Sequence, residues 1–398
     1  MKLDKIMELD KQYYMNTFGS RTPICFEYGK GSTLYDTSGR AYTDFLGGIA
    51  VNCLGYGDQG LIDAISGQAA KIIHCSNLFY IENQAELARE LNGLSGGYKC
   101  FFCNSGAEAN EGAFKLARKY FYARGQDRYE IISAKNSFHG RTMAALAATG
   151  QEKYQKPYRP LTPGFKQVEP NNFKAIEDAV TDKTAAIMIE LIQGESGVHP
   201  MDKEYVEKLR KLCDEKDIIL IFDEVQTGMG RTGYLFAHQM YGVEPDIFTS
   251  AKALGGGIPI GAVCAGKKVA SAFEPGDHGT TFGGNPFATA AGLAVFDIFE
   301  KEHLVENAGK MGKYFKEKLT ELQNKYSDKI TDVRNAGLLI GIQLEDSIAK
   351  TVFNKLFENK ILTSLCGGNT IRIAPPLIIK ETDIDLFINT LSSILEEL

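Results

Sequence analysis

Two stretches carry reactive side chains to places where the chain should be buried. Ile218 to Phe222 is an unbroken apolar run rich in β-branched residues, and it stops at Asp223. Such a run reads as a strand covered on both faces of a parallel sheet. A carboxylate at the C-terminal end of that strand stands where open α/β sheets bind ligands. A second short apolar run, Asp246 to Ser250, leads to Lys252 and then to three glycines. An acid and an amine, each held at a strand end, suit pyridoxal phosphate chemistry. The lysine condenses with the cofactor's aldehyde, and the acid keeps the pyridine nitrogen protonated so that the ring withdraws electrons. Plainer roles fit the same residues. An Asp after a strand is often an N-cap or a Mg²⁺ ligand, and an isolated Lys is usually solvated.

Further candidates lie on both sides. In YKCFFCNSGAEANEGAFKLARKY an apolar strand, Cys100 to Cys103, runs into Ser105, Gly106 and Ala107 and then an amphipathic helix. Free N–H groups and the helix dipole make that start a phosphate cup. Ser105 with Glu108 also fits an N-cap and capping box. After the strand Glu130 to Ala134 come Phe138, His139 and Arg141. An aromatic or imidazole there can stack on a flat ring, and Arg141 can grip a carboxylate with its fork. The alternatives are a structural histidine and a surface ion pair. Glu190 and Glu195 follow the run TAAIMI, and no other Asp, Glu or His near them completes a metal site. Thr280 and Thr281 stand in a loop where two hydroxyls can bind a phosphate or cap a turn. Arg372, in the apolar run TIRI, needs a carboxylate partner, either Glu195 or a substrate.

Two motif matches are rejected. Gly228 to Gly233, GMGRTG, fits G-x-G-x-x-G but begins well after its strand has ended. Gly261 to Lys268 resembles a P-loop but has Lys268 where Mg²⁺ needs Ser or Thr. Neither NAD nor ATP is expected, and no metal. Cys100 and Cys103 form a CxxC, yet Phe101 and Phe102 lie between them and no second pair follows. They read as small apolar residues of a strand.

The elements that must position these residues are those of a large soluble protein. The chain has 398 residues, 44% hydrophobic and 24% charged, and a net charge of −6 that gives no reason to expect nucleic-acid binding. No signal-like leader or membrane span is evident, so a cytoplasmic protein is expected. Residues 1–16 read as a helix. ICFEYGKGSTLYDTSGRAYTDFLGG reads as a small antiparallel meander. Strands alternating with helices from about residue 98 to 265 argue for a doubly wound, mostly parallel sheet. A long helical region, Phe287 to Lys325, then strands near Gly337 to Leu344 and Thr370 to Ile373 suggest a smaller α+β domain. The expected division is an N-terminal helix and meander over 1–53, a large domain over 54–288, and the small domain over 289–398.

LGGIAVNCLGYG, NSGAEANEGAFKLAR, NSFHGRT, IELIQGES, IFDEVQTGMGRTG, SAKALGGGIPIGA, HGTTFGGNP and IRIAPPL occur in this order across nearly the whole chain. Together they resemble the class III, ornithine-type aminotransferases of pyridoxal phosphate fold type I. The resemblance implies an α/β fold with pyridoxal 5′-phosphate on Lys252 and Asp223 at the pyridine nitrogen. It implies Val225 and Phe138 on the two ring faces and Gln226 by the ring hydroxyl. His139 and Glu224 join the cofactor-contacting set. Ser105, Gly106 and Ala107 hold the phosphate. Thr281 reaches the neighbouring subunit's phosphate, and Thr280 lies near the substrate, so the functional unit is a homodimer. Arg141 takes the substrate's distal carboxylate. Arg372 takes the α-carboxylate of glutamate and is masked by Glu195 when the other substrate is bound.

Leu191 stands where the family usually has Pro, and Ser196 where Gly is common. Gly48 and Ile49 stand where ornithine-specific members carry a Tyr, which favours an acylated α-nitrogen. The reaction so implied moves the terminal amine of N2-acetylornithine to 2-oxoglutarate in arginine biosynthesis. Succinylornithine, ornithine and 4-aminobutyrate are the rival amines. A catalytically silent member of the fold is the rival outside catalysis.

Overall fold

The computed structural model describes residues 2–19 and 21–398. Met1, at the start of the first expected helix, lies outside them. The strands are β1 (Phe26–Lys30), β2 (Thr33–Asp36), β3 (Ala41–Asp44), β4 (Lys99–Cys103), β5 (Glu130–Ala134), β6 (Phe165–Val168), β7 (Thr184–Ile189), β8 (Ile192–Gln193) and β9 (His199–Pro200), then β10 (Ile219–Asp223), β11 (Ile247–Ser250), β12 (Gly261–Ala265), β13 (Ile330–Ala336), β14 (Leu339–Leu344), β15 (Ile361–Leu362), β16 (Ser364–Cys366) and β17 (Thr370–Ile373). The helices used below are α1 (Leu3–Tyr13), α2 (Gln59–Lys71), α3 (Glu82–Ser95), α4 (Gly106–Tyr122), α5 (Lys203–Lys216), α6 (Ala237–Tyr241), α7 (Pro286–Lys301), α8 (Leu304–Lys325) and α9 (Glu381–Glu396).

Seven strands form the central sheet in the order β4-β12-β11-β10-β7-β5-β6. The pairs β11–β10, β10–β7, β7–β5 and β5–β6 are parallel. β12 runs antiparallel to both its neighbours, so the sheet is mostly parallel as expected. Every residue of β7, β10 and β11 is buried. That is why those runs are apolar at each position and carry no two-residue alternation. Asp223 is the last residue of β10, and Lys252 follows β11 by two. Both therefore stand at the C-terminal edge, as does the start of α4.

The N-terminal meander β1-β2-β3 is completed by β15, which pairs with β3 in parallel. A second four-stranded sheet, β13-β14-β17-β16, is antiparallel. The two-stranded hairpin β8–β9 leaves the end of β7. The long helical region splits into α7 and α8 at Glu302 and His303, where His303 takes φ +51. α7 packs on α2 and α3 of the large unit. β13 escaped the sequence reading because ITDVRNA carries little alternation: its burial mixes buried, intermediate and exposed positions.

GMGRTG folds as turns, and its Arg231 is fully buried. The guanidinium donates to the carbonyls of Leu338 and Pro375, tying this loop to the C-terminal part of the chain.

Candidate active site

β10 delivers Asp223 into an interior that is only 4% open to solvent there. Its Oδ1 accepts the Val225 N–H at 3.0 Å. Its Oδ2 accepts from Asn110 Nδ2 and lies 2.8 Å from His139 Nδ1. Asn110 is locked in turn, donating to the His139 carbonyl and accepting from the Thr249 hydroxyl. The carboxylate is therefore held on three sides. The imidazole braces Asp223 through Nδ1, and among the described residues its buried Nε2 has no partner.

Ile189 pairs with Phe222 in register, which sets Glu190 beside Asp223 on adjacent strands. Two buried carboxyls so placed do not both ionise. Burial first, and then the charge of Asp223, pushes Glu190 well above the usual carboxyl range. Glu190 accepts the Phe138 N–H at 2.9 Å, which ties it to the segment carrying the aromatic ring.

Lys252 sits at φ +46, in the left-handed region that a lysine rarely adopts. Backbone held there by its surroundings is a mark of functional sites. Desolvation lowers its amine to about 8, with Glu195 opposing and Arg372 reinforcing the shift. A neutral amine is thus within reach at physiological pH, which nucleophilic attack requires.

Ser105 caps α4, its Oγ accepting the Glu108 N–H at 3.2 Å. The Glu108 carboxylate reaches back to Asn104 instead of Ser105. Gly106 and Ala107, the first two helical residues, keep the N–H groups that any helix start leaves without an internal acceptor. A Cβ on Gly106 would stand 2.7 Å from Val225, so glycine lets Val225 close over the helix start.

These groups line one cavity of about 480 Å³. It brings together Ser105, Gly106, Ala107, Phe138, His139, Arg141, Glu195, Asp223, Val225, Gln226 and Lys252. Behind it Arg372 is 3% exposed, and its Nη1 donates to Glu195 Oε1 at 2.5 Å. Gln226 Nε2 donates to the same oxygen at 3.4 Å. The Arg372 charge holds Glu195 below the usual carboxylate range despite burial. Arg141 has its guanidinium 4.0 Å from the centre of the Tyr154 ring and 5.4 Å from that of Phe138. Among the described residues no carboxylate is within ion-pair distance of it.

Besides Arg372, which stands behind it, three expected residues do not line this cavity. Glu224 follows Asp223 and points the other way. Its carboxylate accepts the N–H groups of Ala237 and His238 and lies 2.7 Å from His238 Nδ1. It anchors the start of α6 and does not contact the cavity. The Thr280 hydroxyl lies 3.3 Å from Asn104 Nδ2. Neither it nor Thr281 lines the pocket of its own chain.

The sequence reading missed Asn110 and gave Glu190 no place in the site. Asn110 had a signal: a fully polar side chain on the buried face of α4 among Ala109, Ala113 and Phe114. Such a group needs partners. Among the described residues no three His, Cys, Asp or Glu side chains gather as metal ligands. No helix is long and apolar enough to cross a membrane. The residues present do fit pyridoxal phosphate. An amine of lowered pKa, a fixed buried acid, free N–H groups at a helix start and the apolar Phe138 and Val225 meet in one space.

A model of the family described as aminotransferase class-III matches residues 14–395. A protein of Caldanaerobacter subterraneus subsp. tengcongensis, named acetylornithine aminotransferase, is 50% identical, with 98% of each chain covered. The crystal structure of acetylornithine aminotransferase from Elizabethkingia anophelis superposes with a TM-score of 0.89 at 33% identity, covering 100% of both chains. The ornithine aminotransferase of Toxoplasma gondii ME49 superposes with a TM-score of 0.94 at 30% identity, covering 100% of this chain and 96% of its own.

Proposed function

The chain belongs to the class-III aminotransferases, and on that premise we propose that it moves the terminal amine of N2-acetylornithine to 2-oxoglutarate, giving N-acetylglutamate 5-semialdehyde and glutamate for arginine biosynthesis. It is a transaminase whose cofactor is pyridoxal 5′-phosphate. The observation that carries the substrate reading is the pairing of Arg372 with Glu195 while, among the described residues, Arg141 has no carboxylate partner. One site has to accept an amine whose carboxylate is remote from the reacting carbon, and then a keto acid whose carboxylate adjoins it. Arg141 serves the remote carboxylate. Arg372 serves the adjoining one, and Glu195 neutralises it whenever that carboxylate is absent. A buried guanidinium without any partner costs several kcal/mol.

The bound cofactor supplies an aldehyde and an electron-withdrawing ring. The protein does the rest. Asp223, fixed by Asn110, His139 and the Val225 N–H, would hold the proton on the pyridine nitrogen. Ser105, Gly106 and Ala107 bind the phosphate through donors at the start of α4. Phe138 and Val225 keep water from the ring faces. Lys252 Nζ, with its lowered pKa, would serve as the general base and acid that moves the proton at the carbon bearing the amine.

The functional unit is a homodimer. Thr280 and Thr281 lie outside their own chain's cavity, and Leu78, Tyr80 and Phe282 nearby in the chain and the loop present large exposed apolar surface. All eight cysteines are free thiols, which suits a reducing, cytoplasmic setting.

The test is a single-turnover absorbance experiment on the cofactor-loaded enzyme without keto acid. Rapid loss of the lysine-bound cofactor band with N2-acetylornithine, and slow loss with ornithine and 4-aminobutyrate, is expected. Equal or faster loss with either free amine overturns the substrate assignment and leaves the cofactor chemistry standing.

A further inference from the structure

Glu195 lies in the turn of the β8–β9 hairpin, residues 194–198, and that turn rests on the small sheet. Three residues there stand in one cross-strand row: Arg334 on β13 pairs with Gly341 on β14, and Gly341 pairs with Arg372 on β17. The turn sits over the glycine between the two arginines. A Cβ on Gly341 would meet the Gly197 carbonyl oxygen at 2.8 Å and Val198 Cβ at 3.0 Å. On one flank Arg372 Nη1 donates to Glu195 and, at 3.4 Å, to the Gly194 carbonyl. On the other flank Arg334 Nε donates to the Gly197 and Val198 carbonyls at 3.2 and 3.0 Å, and Nη2 donates to the Gly197 carbonyl at 2.9 Å.

The remaining Arg334 donors are also engaged. Nη1 reaches Asp332 and Gln343, and Nη2 reaches the Thr370 hydroxyl. A guanidinium satisfied on every nitrogen is fixed, whereas Arg372 has one acid partner that a substrate can replace. The turn it grips is strained. Val198, a β-branched residue, takes φ +58, and among the described residues the buried Ser196 hydroxyl has no partner. Such a turn holds its shape only if something outside it holds it.

We infer that Arg334 is a positioning residue for the carboxylate switch: with Gly341 making room, it pins the backbone of residues 194–198 so that the Glu195 side chain alone moves between masking and unmasking Arg372. The inference rests on the proposed function above. Without that pin the turn relaxes, Glu195 spends less time at Arg372, and an α-carboxylate competes more easily for the arginine.

Arg334→Gln in the holoenzyme tests this by two readouts. The first is the pair of half-reactions. The ratio of kcat/KM for N2-acetylornithine to that for glutamate is expected to fall about tenfold, the effect of losing one charge-assisted hydrogen bond. The second is equilibrium binding of the unreactive dicarboxylate glutarate, expected to tighten. Arg334→Lys, which keeps the charge but not the fork, falls between wild type and Arg334→Gln. Gly341→Ala, which lifts the turn from below, moves both readouts in the same direction and serves if Arg334→Gln does not fold. In a Glu195→Ala background Arg334→Gln is expected to leave both readouts where Glu195→Ala alone puts them. Equal loss in the two half-reactions with unchanged glutarate binding overturns the inference. So does an effect that persists without Glu195. Failure of wild-type enzyme to use N2-acetylornithine overturns the substrate reading instead.

Discussion

At the scale of single residues, the site depends on which of two adjacent carboxyls keeps its proton. Asp223 receives donors from Asn110, His139 and Val225, while Glu190 has the Phe138 N–H. Burial and the charge of Asp223 raise Glu190 well above its usual value of 4.5, so it holds its proton to higher pH than a solvated glutamate does. The sign of its effect on stability follows. Above pH 4.5 the unfolded chain releases this proton and the folded chain keeps it, so stability falls as pH rises toward the folded pKa. Glu190→Gln removes that penalty and keeps an acceptor for Phe138. Its thermal midpoint is expected to exceed that of wild type at pH 8, by on the order of 1–2 °C per kcal/mol recovered in a chain this long. The two should converge near pH 4. A lower midpoint at every pH would show Glu190 ionised and paired instead. Lys252 and Asp223 were legible in sequence because their types are unusual at the ends of apolar runs. The upward pKa shift of Glu190 and the bracing role of His139 were not, because each depends on a neighbour distant in the chain.

At the scale of elements, β4 and α4 show how a local pattern sets a site. KCFFC ends the strand, Ser105 caps the helix, and the small residues after it leave the backbone N–H groups open. All of that is short-range information, and the sequence reading captured it. The need for glycine at position 106 is long-range, since it is Val225, from the turn after β10, that closes on it. Gly106→Ala is expected to push Val225 off its place and weaken cofactor binding about tenfold, in line with a modest overpacking cost. Fluorescence titration of the cofactor-free protein measures it. Val225→Ala in the same chain should restore much of the loss, because it removes the atoms the new methyl meets. If the double variant binds no better than Gly106→Ala alone, the contact with Val225 is not the cause. Glu224 shows the opposite limit of short-range reading. Its neighbours in sequence line the cavity, yet strand geometry turns successive side chains to opposite sides, and it caps α6 instead.

At the scale of the whole molecule, the proposed homodimer rests on where one chain's hydroxyls lie. That chain's cavity contains the lysine, the acid and the helix start, yet Thr280 and Thr281 stand outside it. Periodicity shows the hydroxyls but not which cavity they serve, because nothing in one chain's pattern encodes a symmetry operation, and the expectation that Thr281 serves the neighbouring subunit came from the family resemblance alone. Intersubunit complementation decides it. A Lys252→Ala chain lacks the reactive amine, and a Thr281→Ala chain lacks the hydroxyl it would lend. In a mixed dimer the pocket that keeps Lys252 receives the intact Thr281 of the Lys252→Ala partner. Each mixed dimer is expected to show the activity of one wild-type site, and because random reassociation makes about half of the dimers mixed, the two weakly active parents unfolded and refolded together should reach about a quarter of wild-type activity. If Thr281 instead serves its own chain, the only pocket with a lysine still lacks its hydroxyl. The mixture then recovers nothing beyond the Thr281→Ala parent.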